Sequence, residues 1–151
     1  MVYAMMVRKK IRATFEQINT GNYEPMIAGL AEPFEYVFHG QHALGGKRTT
    51  KTAMIRWWER TFRLLPGAKF DVQEILVNGW PWHTQVALRN AITGELPDGS
   101  KYENTVLQFM TLRWGKVTFV ETLENLQVLE NALNVVADCG VPEALAEPIT
   151  D

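Results

Sequence analysis

The sequence is poor in the residues that staple, anchor or thread a chain. A single cysteine, Cys139, rules out an internal disulfide. No apolar run approaches the length of a membrane-spanning helix. Met1–Val7 is apolar, but the basic cluster Arg8, Lys9, Lys10 and Arg12 follows it, the reverse of the order in a secretory signal. A cytoplasmic protein with no targeting segment and no membrane contact is therefore expected. His39, His42, His83 and Cys139 do not stand at metal-ligand spacing, and no carboxylate accompanies them on a helix. Neither a metal nor a cofactor is expected. Gly45-Gly46 lacks the following Gly-Lys-Ser/Thr of a phosphate loop. Internal repeats, linkers and low-complexity stretches are also missing.

What remains is an ordinary soluble composition, with 46% hydrophobic and 21% charged residues in 151. That length fits one domain, placed at 1–140 and followed by an acidic tail at 141–151 that reads as frayed or loosely docked. Charge is uneven. Residues 1–63 carry ten Lys/Arg against five Asp/Glu, and the remainder five against twelve. The basic residues are interleaved with an apolar stripe, so they read as solvated helix faces, and no nucleic-acid partner is expected. Five tryptophans and seven phenylalanines are a large apolar area for this length. Such residues either fill a core or line a cavity, and composition does not say which; the order of elements turns this into the expectation that they enclose a cavity inside a curved sheet.

Val7, Ile11, Phe15 and Ile18 recur at helical spacing, ended by Asn19-Thr20-Gly21-Asn22. Asn22 can cap a short second helix with Pro25 in its first turn, and Phe34–His39 reads as a strand. Thr50 caps a third helix carrying Met54, Trp58, Phe62 and Leu65 on one side. From Lys69 the period changes to two, giving strands at 69–78, 82–93, 102–114 and 117–123. The last helix uses Leu126, Leu129, Leu133 and Val136. Segregated helices and an antiparallel meander mean an α+β fold.

The element order, with Pro97-Asp98-Gly99, Tyr102-Glu103-Asn104 and Gly115-Lys116-Val117, resembles the SnoaL-like branch of the NTF2-like superfamily. The resemblance covers roughly residues 5–135. It implies a cone: a curved antiparallel sheet packed on N-terminal helices, with a C-terminal helix and a pocket between the layers. It also implies a homodimer formed through the outer sheet face. The superfamily reuses one pocket for cyclisation, isomerisation, epoxide hydrolysis, dehydration and plain binding, so function has to be argued from the site.

His39 ends the first strand where ketosteroid isomerases carry their general base, and a neutral imidazole there can accept a proton. The plainer reading is a strand-end histidine bonded to a loop carbonyl. His42 reads as an exposed loop residue. Asn104, Gln108 and Met110 share one strand face, and the amides of Asn104 and Gln108 can donate to a developing enolate oxygen. Either amide can equally serve a neighbouring strand. Arg89 matches an arginine of epoxide hydrolases, but the carboxylates those enzymes need are replaced by Ala91 and Thr122, which disfavours that chemistry. Trp57 and Trp58 are adjacent on a helix, so one is expected in the core and the other at the pocket mouth or against a partner. Tyr36, Trp57, Trp58, Arg89, Met110 and Thr122 are the expected substrate contacts, and His39, Asn104 and Gln108 the catalytic candidates. The expected ligand is a small, apolar, carbonyl-containing molecule, undergoing isomerisation or aldol-type cyclisation. The alternative is a non-catalytic binding or protein-interaction module.

Overall fold

A computed structural model describes residues 2–151. Helix α1 spans Val2–Asn19, α2 Glu24–Ala28, α3 Lys51–Leu64 and α4 Leu126–Asp138. The strands are β1 Leu30–Phe38, β2 Gly46–Arg48, β3 Lys69–Trp80, β4 His83–Glu95, β5 Lys101–Arg113 and β6 Lys116–Glu124. A short 3-10 turn covers Pro142–Leu145. The six strands form one sheet in the order β2-β1-β6-β5-β4-β3, open at both edges. All neighbours are antiparallel except β1 and β6. Among the described residues no helix is long and apolar enough to cross a membrane.

Local chemistry explains the boundaries. The Thr50 side chain accepts from the Ala53 backbone N–H to start α3, and Asn125 does the same for Val128 at α4. Register shifts interrupt the pairing between Val72 and Glu74 and between Thr111 and Leu112, and such bulges increase strand bending. The resulting concave face carries Phe34, Tyr36, Val86, Leu88, Ile92, Val106, Met110 and Val120, all buried. Phe15 of α1, Met26 of α2 and Trp57, Trp58 and Thr61 of α3 close over it. This is the expected α+β cone.

Three details depart from expectation. Strand β2 lies in a segment read as loop, because three residues show no period; it forms by pairing with the free edge of β1, Tyr36 opposite Arg48 and Phe38 opposite Gly46. The Gly45-Gly46 pair serves that turn, since a Cβ at Gly45 would sit 2.2 Å from the Gly40 carbonyl oxygen. His42 is buried rather than exposed: its Nδ1 accepts from the Leu44 N–H at 3.2 Å, which leaves Nε2–H to donate to the His39 carbonyl at 2.9 Å. Finally, the acidic tail is strapped down. Arg48 Nη1 donates to the Ile149 carbonyl at 2.8 Å, Arg60 Nη1 to that of Glu147 at 2.8 Å, and the Asp151 carboxylate accepts from the backbone N–H groups of Thr49 and Thr50. Arg60 and Arg63 both engage Glu143, and the Arg63 hydrogen bond is the main cause holding its carboxyl down at about 2. The basic first half and acidic second half thus meet in this strap.

The tryptophans also divide. Trp57 and Trp58 are both buried, edge to face with centroids 4.8 Å apart, because the cone surrounds α3 on more than one side. Trp80, Trp82 and Trp114 instead stand exposed at two hairpin tips and enclose nothing.

Candidate functional site

Strand alternation sorts the candidate residues onto two faces. Tyr36 and Phe38 of β1, Gln108 and Met110 of β5, and Thr122 and Glu124 of β6 face inward. Gln108 lies opposite Thr122, and Val106 opposite Glu124. With helix side chains they wall an interior cavity of about 30 Å³, lined by Tyr36, Trp57, Trp58, Gln108, Thr122 and Glu124 among others. That volume holds a water or two.

The polar lining is only partly satisfied. Gln108 Nε2 donates to Thr122 Oγ1 at 3.0 Å and, more weakly, to the Tyr36 hydroxyl at 3.4 Å. Its Oε1 is buried without a partner, as is the indole N–H of Trp58. At one end of the cavity Asn104 Nδ2 donates to the Tyr102 hydroxyl at 3.0 Å, and that hydroxyl donates to Glu124 Oε1 at 3.0 Å. Burial pushes the Glu124 carboxyl up to about 7, against the lowering effect of the Tyr102 bond. Burial likewise raises the Tyr36 and Tyr102 hydroxyls above the ordinary phenol range. The interior thus holds a carboxyl that exchanges its proton near neutrality.

The convex face is different in kind. His39 Nε2 lies 2.6 Å from Glu121 Oε2, with both side chains about half exposed. Arg89 Nη2 donates to Glu74 Oε2 at 2.9 Å. These pairs rim a shallow hollow of about 490 Å³ floored by Leu76, Ala87, Leu107, Phe109 and Leu123.

The profile of the SnoaL-like domain family matches residues 11–120, most of the chain. This chain belongs to the SnoaL-like family. No protein of curated function matches the sequence significantly. Among solved structures, a proposed SnoaL-like polyketide cyclase from Jannaschia sp. CCS1 superposes with a TM-score of 0.71 at 16% identity, over 89% of this chain and 94% of that one. TerC, crystallised with polyporic acid, gives 0.71 at 16% identity over 83% of this chain and 96% of its own. PrhC from Penicillium brasilianum NBRC 6234 gives 0.75 at 14% identity over 89% and 90%. At such identities the likeness is one of fold.

In this SnoaL-like chain the nine expected site residues do not converge. Tyr36, Trp57, Trp58, Gln108 and Thr122 meet at the interior cavity. Met110 is buried on the same face but is not part of that cavity wall. Asn104 stands at the edge, where its amide ties Tyr102 to the backbone of Asn125 and thereby to the start of α4. His39 and Arg89 lie outside, separated from Gln108 by the sheet. The reason is parity: Phe38 turns in, so His39 turns out, and likewise Arg89 and Ala91 flank the inward Asn90. His39 and the Gln108 amide therefore stand on opposite faces of the sheet and do not meet at one cavity.

Two inward groups escaped the sequence reading. Glu124 extends the series Val120, Thr122 by one more period-two step, but the strand was ended at Leu123. Asn90 is fully buried with both amide atoms unpartnered, diagonal to Gln108 across β4 and β5. A buried carboxyl and a buried amide on an otherwise apolar strand face were the available signals. Among the described residues no three His, Cys, Asp or Glu side chains gather closely enough to hold a metal ion.

Proposed function

We propose that this SnoaL-like protein binds a small, largely apolar carbonyl compound inside the cone, and that Glu124 exchanges a proton with it. The observation that carries this reading is the unpartnered Trp58 N–H and Gln108 Oε1 on the same small cavity as Glu124. Orphaned buried polar atoms of opposite hydrogen-bonding sense fit a ligand that offers both an acceptor and a donor. A ketone that also carries a hydroxyl offers both. The Trp58 indole N–H donates to the carbonyl oxygen, and Gln108 Oε1 accepts from the ligand's hydroxyl. The Glu124 carboxylate takes the α-carbon proton, leaving an enolate held by that indole N–H, and then returns a proton to carbon. A carboxyl titrating near 7 is matched to that task at neutral pH. Tyr102 and Asn104 are positioning residues: they hold the Glu124 carboxyl and touch no ligand.

The cavity is small, so occupation requires outward movement of the flexible Met26 and the neighbouring Leu65 in its wall. A second copy of the chain covers the convex hollow in this proposal, since four exposed large hydrophobics share that face: Leu76, Leu107, Phe109 and Leu123.

Two measurements test the interior site. A panel of cyclic and polyketide-like ketones is titrated against tryptophan fluorescence, with Trp58→Phe as the reporter-deleted control. Deuterium exchange at the ligand's α-carbon is then followed against pH for the wild type and Glu124→Gln. Binding with exchange that follows a group near pH 7, and is lost in the variant, supports the reading. Binding with exchange unaltered by Glu124→Gln removes the proton-transfer role and leaves a non-catalytic binding module.

A further inference from the structure

Three of the five tryptophans have no role in the interior. Trp80 and Trp82 flank the β3–β4 turn and Trp114 occupies the β5–β6 turn, with exposures of 65%, 53% and 72%. Trp80 and Trp82 stack almost parallel with centroids 5.9 Å apart, and Trp82 lies 6.2 Å from Trp114. The backbone N–H of Trp114 donates to the Pro81 carbonyl at 2.6 Å, which locks the two tips together. Trp114 also sits at φ +53°, a left-handed conformation that bulky side chains rarely adopt. The two-residue turn between Arg113 and Lys116 requires positive φ at both of its residues, Gly115 following at +78°, and it holds the Trp114 ring mostly in solvent.

The same end carries further apolar and cationic groups. The first turn of α1 is tied to it: the Tyr3 hydroxyl meets Thr84 Oγ1 at 2.5 Å, and Thr84 Oγ1 donates to the Trp80 carbonyl at 2.7 Å. Met5 and Met6 of that helix are exposed. Lys10 Nζ reaches the Gly115 carbonyl at 3.2 Å. Lys9, Lys10, Arg113 and Lys116 are all exposed. The two hairpin tips and the first turns of α1 beside them, residues 2–10, 78–85 and 111–118, contain no Asp or Glu. On a chain of net charge −2 that is a strong local asymmetry.

We infer that this end of the cone docks on the surface of an anionic phospholipid bilayer, with the indoles and methionines at headgroup depth and the lysines and arginines against lipid phosphates. Indole is amphipathic and favours the boundary between headgroups and acyl chains, and exposed Lys/Arg near it add attraction to anionic lipid. Charge complementarity favours this occupant over a second copy, which carries a net charge of only −2 and the same cationic end. The earlier expectation of no membrane contact rested on spanning segments, and peripheral docking needs none. The inference is independent of the interior site.

Co-sedimentation with vesicles of phosphatidylcholine, alone or mixed with phosphatidylglycerol, tests it. The variants are Trp80→Ser/Trp82→Ser/Trp114→Asn, the last chosen because Asn tolerates positive φ, and Lys9→Gln/Lys10→Gln. Circular dichroism and gel filtration confirm fold and oligomeric state. The wild type is expected to bind the mixed vesicles, to bind pure phosphatidylcholine far less, and to lose binding as salt rises. The triple variant is expected to partition at least about tenfold more weakly, and the double variant several-fold. Absence of wild-type binding, equal binding by the triple variant, or equal binding to both vesicle types overturns the inference. So does a triple variant that changes oligomeric state while the wild type ignores vesicles, because the patch then belongs to a second copy.

Discussion

The two faces of one sheet carry nearly the same kinds of side chain and give them different physics. On the concave face Gln108, Thr122, Asn90 and Glu124 are buried, and several of their polar atoms lack partners. On the convex face His39, Glu121, Arg89 and Glu74 pair off in half-exposed ion pairs. Adjacent residues of one strand, Glu121 and Thr122 or Arg89 and Asn90, fall on opposite sides of that divide. A polar group acquires chemical leverage when water is excluded, because the low-dielectric side magnifies both a missing partner and a shifted proton equilibrium. In a single copy of the chain the convex pairs are screened by solvent.

The largest contrast is expected in catalysis. If the interior reading holds, Glu124→Gln lowers proton exchange at the ligand by about 10²–10⁴-fold, the usual worth of a general acid or base. His39→Gln, across the sheet, changes it less than about twofold, since it removes only a screened surface group. Deuterium exchange rates on the two variants measure the ratio directly. Equal losses from both would abolish the distinction between the faces.

Packing gives the next contrast, on neighbouring residues of β5. Met110 is 6% exposed and Phe109 47%. Met110→Ala is expected to destabilise by about 2–5 kcal/mol in urea unfolding, as core truncations do. Phe109→Ala is expected below about 1 kcal/mol for the monomer. If a second copy covers the hollow, the Phe109 effect grows with protein concentration while the Met110 effect does not.

The fold was largely legible because its signals are periodic. Val7, Ile11, Phe15 and Ile18 mark one helix face, and the long strands alternate over enough residues to survive local noise. The site was less legible, because a single residue of parity decides inside from outside. His39 was read as interior from its place at a strand end, and Phe38 took the inward position instead. Glu124 was missed because the strand was closed one residue early, at Leu123. Trp80, Trp82 and Trp114 were grouped with Trp57 and Trp58 by composition, which carries no information about hairpin tips. The tail shows no local sign of being held, because Arg48, Arg60 and Thr49 lie 101, 87 and 102 positions from the Ile149, Glu147 and Asp151 they bind.

The buried carboxyl makes a pH prediction whose sign is fixed. The Glu124 pKa rises from 4.5 to about 7 on folding, so the folded chain binds more protons than the unfolded one in that window. Stability attributable to this group therefore falls as pH rises from about 4.5 to about 7, by about 3 kcal/mol in total. His42 acts in the opposite sense, since burial lowers its pKa and its contribution is lost as pH falls below the ordinary imidazole range. The difference between wild type and Glu124→Gln isolates the carboxyl. Its slope should vanish above pH 7, and a flat difference between pH 4.5 and 7 would show that Glu124 is solvated in solution.

The smallest effects belong to the convex ion pairs, and they bear most directly on whether that face is free. Arg89 and Glu74 are each about half exposed. In a monomer, Arg89→Ala should change unfolding free energy by less than about 1 kcal/mol, and added salt should erase the change. Glu121→Gln beside His39 should behave the same way. A second copy over the hollow alters both expectations, because the pairs then lose water. Removing one partner would leave the other buried and uncompensated, a loss of about 3–5 kcal/mol that salt no longer screens. Chemical denaturation of Arg89→Ala at low and high salt, repeated over a range of protein concentration, separates the two cases. A small, salt-erased and concentration-independent change leaves the convex face in water and confines the protein's buried polar chemistry to the inside of the cone.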